Sequence, residues 1–143
     1  MPKIFVYGTL KKGQINHHWL CGYRGDSRIA PIPAIAPGIV LHAGPHYPLA
    51  IRGQGKAIGE VYTVTESVLR KLDVLENHPN DYHREITPVM TNQDHRILVW
   101  IYLHNQAYHY PKITAGLWQP QKNQQCFFNI QWLNKIKRIT RIG

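Results

Sequence analysis

A short apolar run, Ile4–Tyr7, opens the chain and stops at Gly8. Such a run predicts a buried β-strand, and the small residues after it predict a loop with exposed backbone N–H groups. A loop of this kind can bind a carboxylate or stabilise a developing oxyanion. Gly8 and Gly13 have the spacing of a phosphate-binding loop, but that motif continues with Lys and Ser or Thr. Because Gln14 and Ile15 stand there instead, we exclude phosphate binding, and a plain β-turn remains the alternative.

Length and composition indicate one globular domain. The chain has 143 residues, of which 43% are hydrophobic and 17% charged, so it can bury a core without disulfides. We therefore expect a single domain over residues 1–143. No apolar leader follows the N-terminus, and no stretch approaches the ~20 apolar residues that span a membrane. Cys21 and Cys126 are too few for a disulfide scaffold, so we expect a cytoplasmic protein without a membrane partner.

Positive charge is concentrated in the C-terminal part of the chain. The formal net charge is +9, and Asp94 is the last acidic residue. The basic residues beyond it are Arg96, Lys112, Lys122, Lys135, Lys137, Arg138 and Arg141. This asymmetry is typical of nucleic-acid contacts and also of solubilising tails. Since no known nucleic-acid-binding module is present, we expect no specific nucleic-acid partner and only weak, salt-sensitive attraction to polyanions.

One helix has clear local signals. Thr65 is a favourable N-cap, and Glu66 follows it in the first turn, where the helix dipole favours negative charge. The apolar positions that follow at helical spacing are Val68, Leu69, Leu72 and Leu75. The pattern predicts an amphipathic helix over residues 66–75, ended by Asn77 and Pro79. A second helix is predicted at residues 131–136.

Several short strands are predicted around this helix. Their ranges are residues 38–42, 49–51, 57–64, 83–90 and 97–103, and the last two form a hairpin. Pro31, Pro33 and Pro37 predict a loop before the first of these strands, and residues 52–55 predict a turn. The pattern favours an α+β fold whose sheet is mainly antiparallel or mixed and can curl into a barrel.

Glu76 occupies an unusual place for a carboxylate. It comes four residues after Leu72 and seven after Leu69, so it projects near the edge of the buried stripe. It also lies at the C-terminal end of the helix, where the dipole disfavours negative charge, and Asp73 adds like-charge repulsion. All three effects predict a raised pKa, which suits a group that exchanges a proton near neutral pH. The alternative is a solvated glutamate at a frayed helix end.

Four short motifs occur in a fixed order along the chain. They are Tyr7-Gly8-Thr9-Leu10, Gly59-Glu60-Val61-Tyr62, Leu72-Asp73-x-x-Glu76 and Tyr82-x-Arg84. In this order and spacing they resemble the γ-glutamylcyclotransferase-like superfamily, especially its small branch of γ-glutamylamine cyclotransferases and AIG2-like proteins. The resemblance is strongest over residues 3–103, and residues 104–143 form a basic C-terminal extension that it does not explain. One departure is Asn77, because relatives often have Gly directly after the glutamate.

The resemblance implies a compact mixed β-barrel with flanking helices and a pocket beside the exit loop of the first strand. In that family the loop backbone binds the γ-glutamyl group, and the glutamate that matches Glu76 is the general acid and base. The substrate's own α-amine attacks its γ-carbonyl, 5-oxoproline forms, and an amine or peptide leaves. The nucleophile belongs to the substrate, so the reaction needs no cofactor or metal. The candidate substrate-binding residues are Tyr7, Gly8, Thr9, Leu10, Tyr82 and Tyr102.

Each candidate has a structural alternative. Tyr7 and Tyr102 can be core residues with satisfied hydroxyl groups, and Tyr82 can brace the wall of the pocket. The rival carboxylates Glu60 and Glu85 lie within predicted strands, where outward or ion-pair roles are expected. The nine histidines contain no HExxH motif and no Cys/His quartet, so we expect no metal site.

Two classes of function remain at this point. The first is an enzyme that releases 5-oxoproline from a small γ-glutamyl substrate. The second is a non-catalytic module of the same fold that holds a metabolite or, through its basic face, a polyanion. Glu76 in a pocket within reach of the loop at residues 8–10 favours the enzyme. An exposed Glu76, with Lys135, Lys137, Arg138 and Arg141 on one continuous face, favours the binding module.

Overall fold

A computed structural model describes residues 1–21, 30–106 and 109–120 of the protein. In chain order its elements are β1 (Lys3–Val6), a 3-10 helix (His17–Cys21), β2 (Ile32–Ala43), β3 (Pro48–Thr63), α1 (Glu66–Leu75), β4 (Tyr82–Thr91) and β5 (Arg96–His104). The strands form a closed barrel in the order β1-β3-β2-β4-β5. This confirms the predicted α+β barrel, although the described residues contain only one α-helix.

Strand β1 closes the barrel and gives it its mixed character. It pairs antiparallel with β3, where Phe5 lies opposite Val61, and parallel with β5, where Ile4 lies opposite Trp100. The other pairings are antiparallel, and β4 with β5 forms the predicted hairpin. Strand β1 therefore lies between β3 and β5, and the loop that follows β1 leaves the barrel there.

Alternation along the strands separates two hydrophobic clusters. The cluster inside the barrel receives residues from all five strands, and from β1 it receives Phe5. The cluster outside the barrel contains Ile4 and Val6 of β1, which pack with the buried face of α1. Because successive side chains of a strand point to opposite faces, the same short strand contributes to both clusters.

Helix α1 follows its sequence signals closely. The Thr65 hydroxyl accepts a hydrogen bond of 3.1 Å from the Val68 N–H, as an N-cap does. The predicted stripe of Val68, Leu69, Leu72 and Leu75 is the buried face. The helix ends at Leu75, Glu76 is its C-cap, and Asn77 adopts a positive φ of 53°. Asn tolerates this left-handed conformation.

The predicted loop at Pro31, Pro33 and Pro37 is wrong, because β2 already begins at Ile32. Proline lacks an N–H group, but its carbonyl still accepts hydrogen bonds and its φ fits extended backbone. The Pro33 carbonyl accepts one of 2.9 Å from the Asn92 N–H. The register between β2 and β3 shifts between Pro37 and Ile39, at a bulge where Gly38 has a φ of 76°.

The predicted turn at residues 52–55 is also wrong, since β3 runs unbroken from Pro48 to Thr63. Its glycines are explained by the neighbouring strand. A Cβ atom at Gly53 or Gly55 would lie only 3.0 or 3.1 Å from Cγ2 of Val40. The glycines therefore make room for a side chain of β2 rather than reversing the chain.

The segment after β5 packs back onto the barrel. The Ile113 N–H donates to the Leu41 carbonyl and the Ile58 N–H donates to the Gly116 carbonyl, both at 2.8 Å. Trp118 then joins the cluster inside the barrel. The predicted helix at 131–136 and the basic residues after residue 120 lie outside the described part of the chain. Within that part, no helix combines the length and apolar character needed to cross a membrane.

Candidate active site

The loop after β1 is buried and stabilised by its own backbone. The Gly8 carbonyl accepts a hydrogen bond of 3.1 Å from the Lys11 N–H, and the Thr9 carbonyl accepts one of 2.9 Å from the Asn16 N–H. Residues 8–10 are all buried. None of these turn hydrogen bonds uses the N–H of Gly8 or Leu10 as its donor. The loop thus has the geometry expected of a turn and keeps amide groups that a ligand could use.

Lys11 and Lys12, which follow residues 8–10, are held by hydrogen bonds to residues that are distant in the chain. Lys11 is 8% exposed, and its Nζ atom donates a hydrogen bond of 2.8 Å to the Trp118 carbonyl. The Lys12 N–H donates at 2.8 Å to Oε1 of Glu60, which also accepts from the Tyr62 hydroxyl at 3.0 Å. Burial lowers the pKa of Lys11, and the nearby charge of Glu60 acts in the opposite direction. Glu60 is therefore a structural acceptor, as its strand position predicted.

Glu76 is completely buried. Its exposed fraction is 0%, and neither carboxyl oxygen has a hydrogen-bond partner among the described residues. Burial raises the pKa of Glu76 well above its ordinary value, because the charged form loses its hydration. The alternative of a solvated glutamate at a frayed helix end is thus wrong. A carboxyl group in this state can accept and return a proton near neutral pH.

Asp73 does not cause this shift, contrary to the expectation from sequence. Its two oxygens accept hydrogen bonds of 2.6 and 2.9 Å from the Arg84 guanidinium, and Oδ1 also accepts one of 2.7 Å from the Tyr102 hydroxyl. Burial opposes ionisation of Asp73, but these hydrogen bonds and the Arg84 charge together lower its pKa. Asp73 is therefore a charge-compensated anion that links α1 to β4 and β5.

The charge of Glu76 affects the pKa of all three predicted substrate-binding tyrosines. Burial is the main cause that raises the pKa of Tyr7, Tyr82 and Tyr102, and the negative charge of Glu76 adds to each shift. The Tyr7 hydroxyl donates to the Tyr102 carbonyl at 2.6 Å, and the Tyr82 hydroxyl donates to the Pro48 carbonyl at 3.4 Å. All three phenols are thus neutral donors to protein acceptors, which agrees with the core-packing alternative for their hydroxyl groups.

The sequence reasoning missed two features near this site. The first is the contact of Asp73 with Arg84, which joins two motifs that were noted separately, and with Tyr102. The second is Asn16, which is 1% exposed and whose Nδ2 atom has no acceptor among the described residues. A polar residue three positions after Gly13 is an ordinary loop feature, so no pattern in the sequence signalled its burial.

The remaining polar candidates lie elsewhere and have partners. Glu85 accepts hydrogen bonds from Arg52 at 2.8 Å and pairs with His83 at 2.6 Å, as expected for an ion-pair role. Nδ1 of His42 donates to the Tyr110 carbonyl at 2.6 Å, whereas its Nε2 atom has no partner among the described residues. In the described ranges no group of three or more His, Cys, Asp or Glu residues could hold a metal ion.

Comparisons with known proteins show which family this chain resembles. The family model described as gamma-glutamyl cyclotransferase, AIG2-like, matches residues 4–120. A Drosophila melanogaster protein with the name "Putative gamma-glutamylcyclotransferase CG2811" is 41% identical over 107 residues, which make up 71% of this chain and 68% of that protein. The human gamma-glutamylaminecyclotransferase is 38% identical over 103 residues, or 66% of this chain and 65% of its own.

The structure is also similar to that of a known AIG2-like protein. The crystal structure of a mouse AIG2-like protein superposes with a TM-score of 0.65 at 28% sequence identity. The match covers 86% of this chain and 98% of the mouse chain. Apart from Lys3, the closed barrel lies within the residues that the family model matches, as do the loop after β1, helix α1 and its C-cap Glu76.

Proposed function

The chain belongs to the gamma-glutamyl cyclotransferase, AIG2-like family, and on that premise we propose that it converts a γ-glutamyl amine or peptide into 5-oxoproline and a free amine. The observation that supports this proposal most strongly is the buried carboxyl group of Glu76, which has no partner in the described part of the chain. A buried ionisable group without a partner is costly for stability, so a catalytic role explains why it is there.

The reaction begins on the substrate. The lone pair of its free α-amine attacks the γ-carbonyl carbon, a new carbon–nitrogen bond closes a five-membered ring, and the carbonyl oxygen becomes an oxyanion. Glu76 takes a proton from the attacking nitrogen. When the oxyanion collapses, the bond to the leaving nitrogen breaks, and Glu76 returns the proton to that nitrogen. Because ring closure is intramolecular, holding the substrate in a folded conformation supplies much of the acceleration.

The environment of Glu76 suits both proton transfers. A carboxylate with an ordinary pKa is a weak base near neutral pH, whereas burial raises the pKa of Glu76 and strengthens it as a base. Asp73, three residues earlier, stays ionised through its contacts with Arg84 and Tyr102 and does not compete for the proton. The two carboxyl groups thus have separate roles.

The loop at residues 8–10 supplies hydrogen-bond donors for the oxyanion, which Glu76 cannot stabilise. In this proposal the N–H groups of Gly8 and Leu10 stabilise the oxyanion, since the turn hydrogen bonds of the loop leave them unused. The neutral phenols of Tyr7, Tyr82 and Tyr102 form walls that keep water from the reacting atoms. The full burial of Glu76 favours this enzyme over the binding-module alternative.

A panel of γ-glutamyl compounds tests the proposal. The panel contains a γ-glutamyl amino acid, glutathione, an ε-linked γ-glutamyl-lysine and a simple γ-glutamyl amine, and 5-oxoproline is quantified by mass spectrometry. We expect 5-oxoproline and free amine in equal amounts from at least one compound. Release of glutamate instead of 5-oxoproline would show hydrolysis, and no product from any member would contradict the proposed activity.

A further inference from the structure

Asn16 carries a buried hydrogen-bond donor that the protein does not use. The residue is 1% exposed, and its Nδ2 atom has no acceptor among the described residues. Most buried polar groups in native proteins have a partner, and leaving a donor unsatisfied destabilises the folded protein. A ligand that supplies an acceptor would remove this penalty when it binds.

The backbone of Asn16 holds the residue beside the loop that follows β1. Its N–H donates to the Thr9 carbonyl at 2.9 Å, and its own carbonyl accepts from the Trp19 N–H at 3.1 Å. The first hydrogen bond closes the loop, and the second leads into the 3-10 helix. The backbone of Asn16 is therefore fixed on both sides.

The neighbouring residues connect Asn16 with the helix that carries Glu76. Leu10 precedes Asn16 and Leu20 follows it, and both belong to the cluster that contains Leu72 and Leu75 of α1. Leu75 is the residue directly before Glu76. The segment between Leu10 and Leu20 thus carries a buried donor, and the end of α1 carries a buried carboxyl group, neither of which has a hydrogen-bond partner among the described residues.

A γ-glutamyl group fits this pair of unsatisfied groups. Its α-amine donates hydrogen bonds, and its α-carboxylate and γ-carbonyl oxygens accept them. We propose that Asn16 is a substrate-binding residue whose side-chain amide donates to one of these oxygens while Glu76 receives the α-amine. This inference rests on the proposed function, because it assumes that a γ-glutamyl compound occupies the site.

The substitution Asn16→Ala separates a binding role from a structural one. If the amide donates only to substrate, its removal takes away an unsatisfied group, and the melting temperature should stay within about 2 °C of the parent. The lost hydrogen bond to substrate should lower kcat/KM by about 10–100-fold, mainly through a higher KM. Gln14→Ala is the matched control, since it shortens a nearby polar side chain of the same loop and should leave both quantities unchanged.

One further variant and one further substrate extend this test. Asn16→Asp keeps the shape but puts a carboxylate where the donor was, so it should weaken binding more than Asn16→Ala. A substrate without the α-carboxylate identifies the oxygen: if Asn16 binds that carboxylate, the parent and Asn16→Ala should turn the analogue over equally well. If it binds the γ-carbonyl, the deficit of the variant should persist.

Calorimetric binding of L-5-oxoproline and of the γ-glutamyl panel tests the inference apart from turnover. Weaker binding to Asn16→Ala by about 10-fold or more supports the role of Asn16 even where no product forms. Equal affinity of parent and variant, or a large fall in melting temperature with unchanged kcat/KM, would overturn it. Failure of the parent to bind any member of the panel would overturn it as well, whereas binding without turnover would contradict only the proposed reaction.

Discussion

Replacing Glu76 with Gln should stabilise the protein while it removes activity. Glu76 is fully buried and has no partner in the described residues, so its ionised form is strongly disfavoured in the folded state. Gln has nearly the same shape but carries no charge. The variant therefore keeps the packing at the end of α1 and loses the penalty of a buried carboxylate.

The sign of the pH dependence follows from proton binding. Burial raises the pKa of Glu76 well above its model-compound value of 4.5, so between these two values the folded state binds more protons than the unfolded state. The free energy of unfolding of the parent then falls as pH rises, by at most about 1.4 kcal/mol per pH unit. Glu76→Gln lacks this loss. The two proteins should be similarly stable at acidic pH, and the variant should be more stable near neutral pH.

The magnitude is large enough to measure. From about pH 5 to pH 7 the difference in free energy of unfolding should grow to about 1–3 kcal/mol. For a chain of this size each kcal/mol corresponds to roughly 4 °C in melting temperature. Urea unfolding at a series of pH values gives the difference directly, provided that the slope with denaturant is the same for both proteins.

Glu66→Gln is the control, because Glu66 is an exposed glutamate in the first turn of the same helix. It should show no gain in stability as pH rises. A Glu76→Gln protein that is no more stable than the parent near neutral pH would contradict the burial argument. A stability difference that is the same at every pH would contradict it too, because it could not come from ionisation of Glu76.

Four further substitutions test the surroundings of the site. Asp73→Asn should lower the free energy of unfolding by about 1–3 kcal/mol, because it weakens the paired contact with Arg84, and Tyr102→Phe should lower it by only about 1 kcal/mol, as measured by urea unfolding. Gly59→Ala should lower the free energy of unfolding by about 2 kcal/mol or more, because its Cβ would clash with the Val6 carbonyl oxygen of β1. Circular dichroism during heating should show a lower melting temperature. Gly8→Val should weaken binding of 5-oxoproline in calorimetry more than it lowers the melting temperature; equal loss of both would favour a plain turn.

The parts of the fold that sequence predicted well depend on local signals. Helix α1 has its N-cap at Thr65 and its apolar stripe within ten residues, and the observed helix has the predicted bounds. The β4–β5 hairpin joins neighbours in the chain across a short turn, so alternation of apolar residues sufficed to find it. In both cases the interactions that stabilise the element lie within it or next to it.

The long pair of strands β2 and β3 shows where local reading fails. Proline and glycine signalled a loop and a turn, but β2 and β3 are extended and pair over 11 positions. The proline segment pairs with residues 56–61, and residues 53–55 lie opposite the bulge at Gly38. Gly53 and Gly55 are required by Val40 on the partner strand. A pattern in one segment cannot show which side chain of a distant segment needs its space.

The candidate site could be predicted only in part, because some of its contacts join residues that are distant in the chain. The place of Glu76 near the edge of a buried stripe left both a buried and a solvated carboxyl group open, and the structure shows that it is buried. The supposed repulsion from Asp73 was wrong because Arg84 and Tyr102, which lie 11 and 29 residues further along the chain, compensate its charge. The unsatisfied amide of Asn16 likewise depends on tertiary packing and has no signature in the sequence.

The most direct test of the catalytic role of Glu76 is the product balance of the parent and of Glu76→Gln on the same γ-glutamyl substrate. With saturating substrate, the parent should release 5-oxoproline and free amine one to one. Glu76→Gln should still bind the substrate, with turnover lower by about 10²–10⁴-fold, because Gln cannot carry the proton between the two nitrogens. If Glu76→Gln retains the turnover of the parent, Glu76 is not the acid and base of this enzyme.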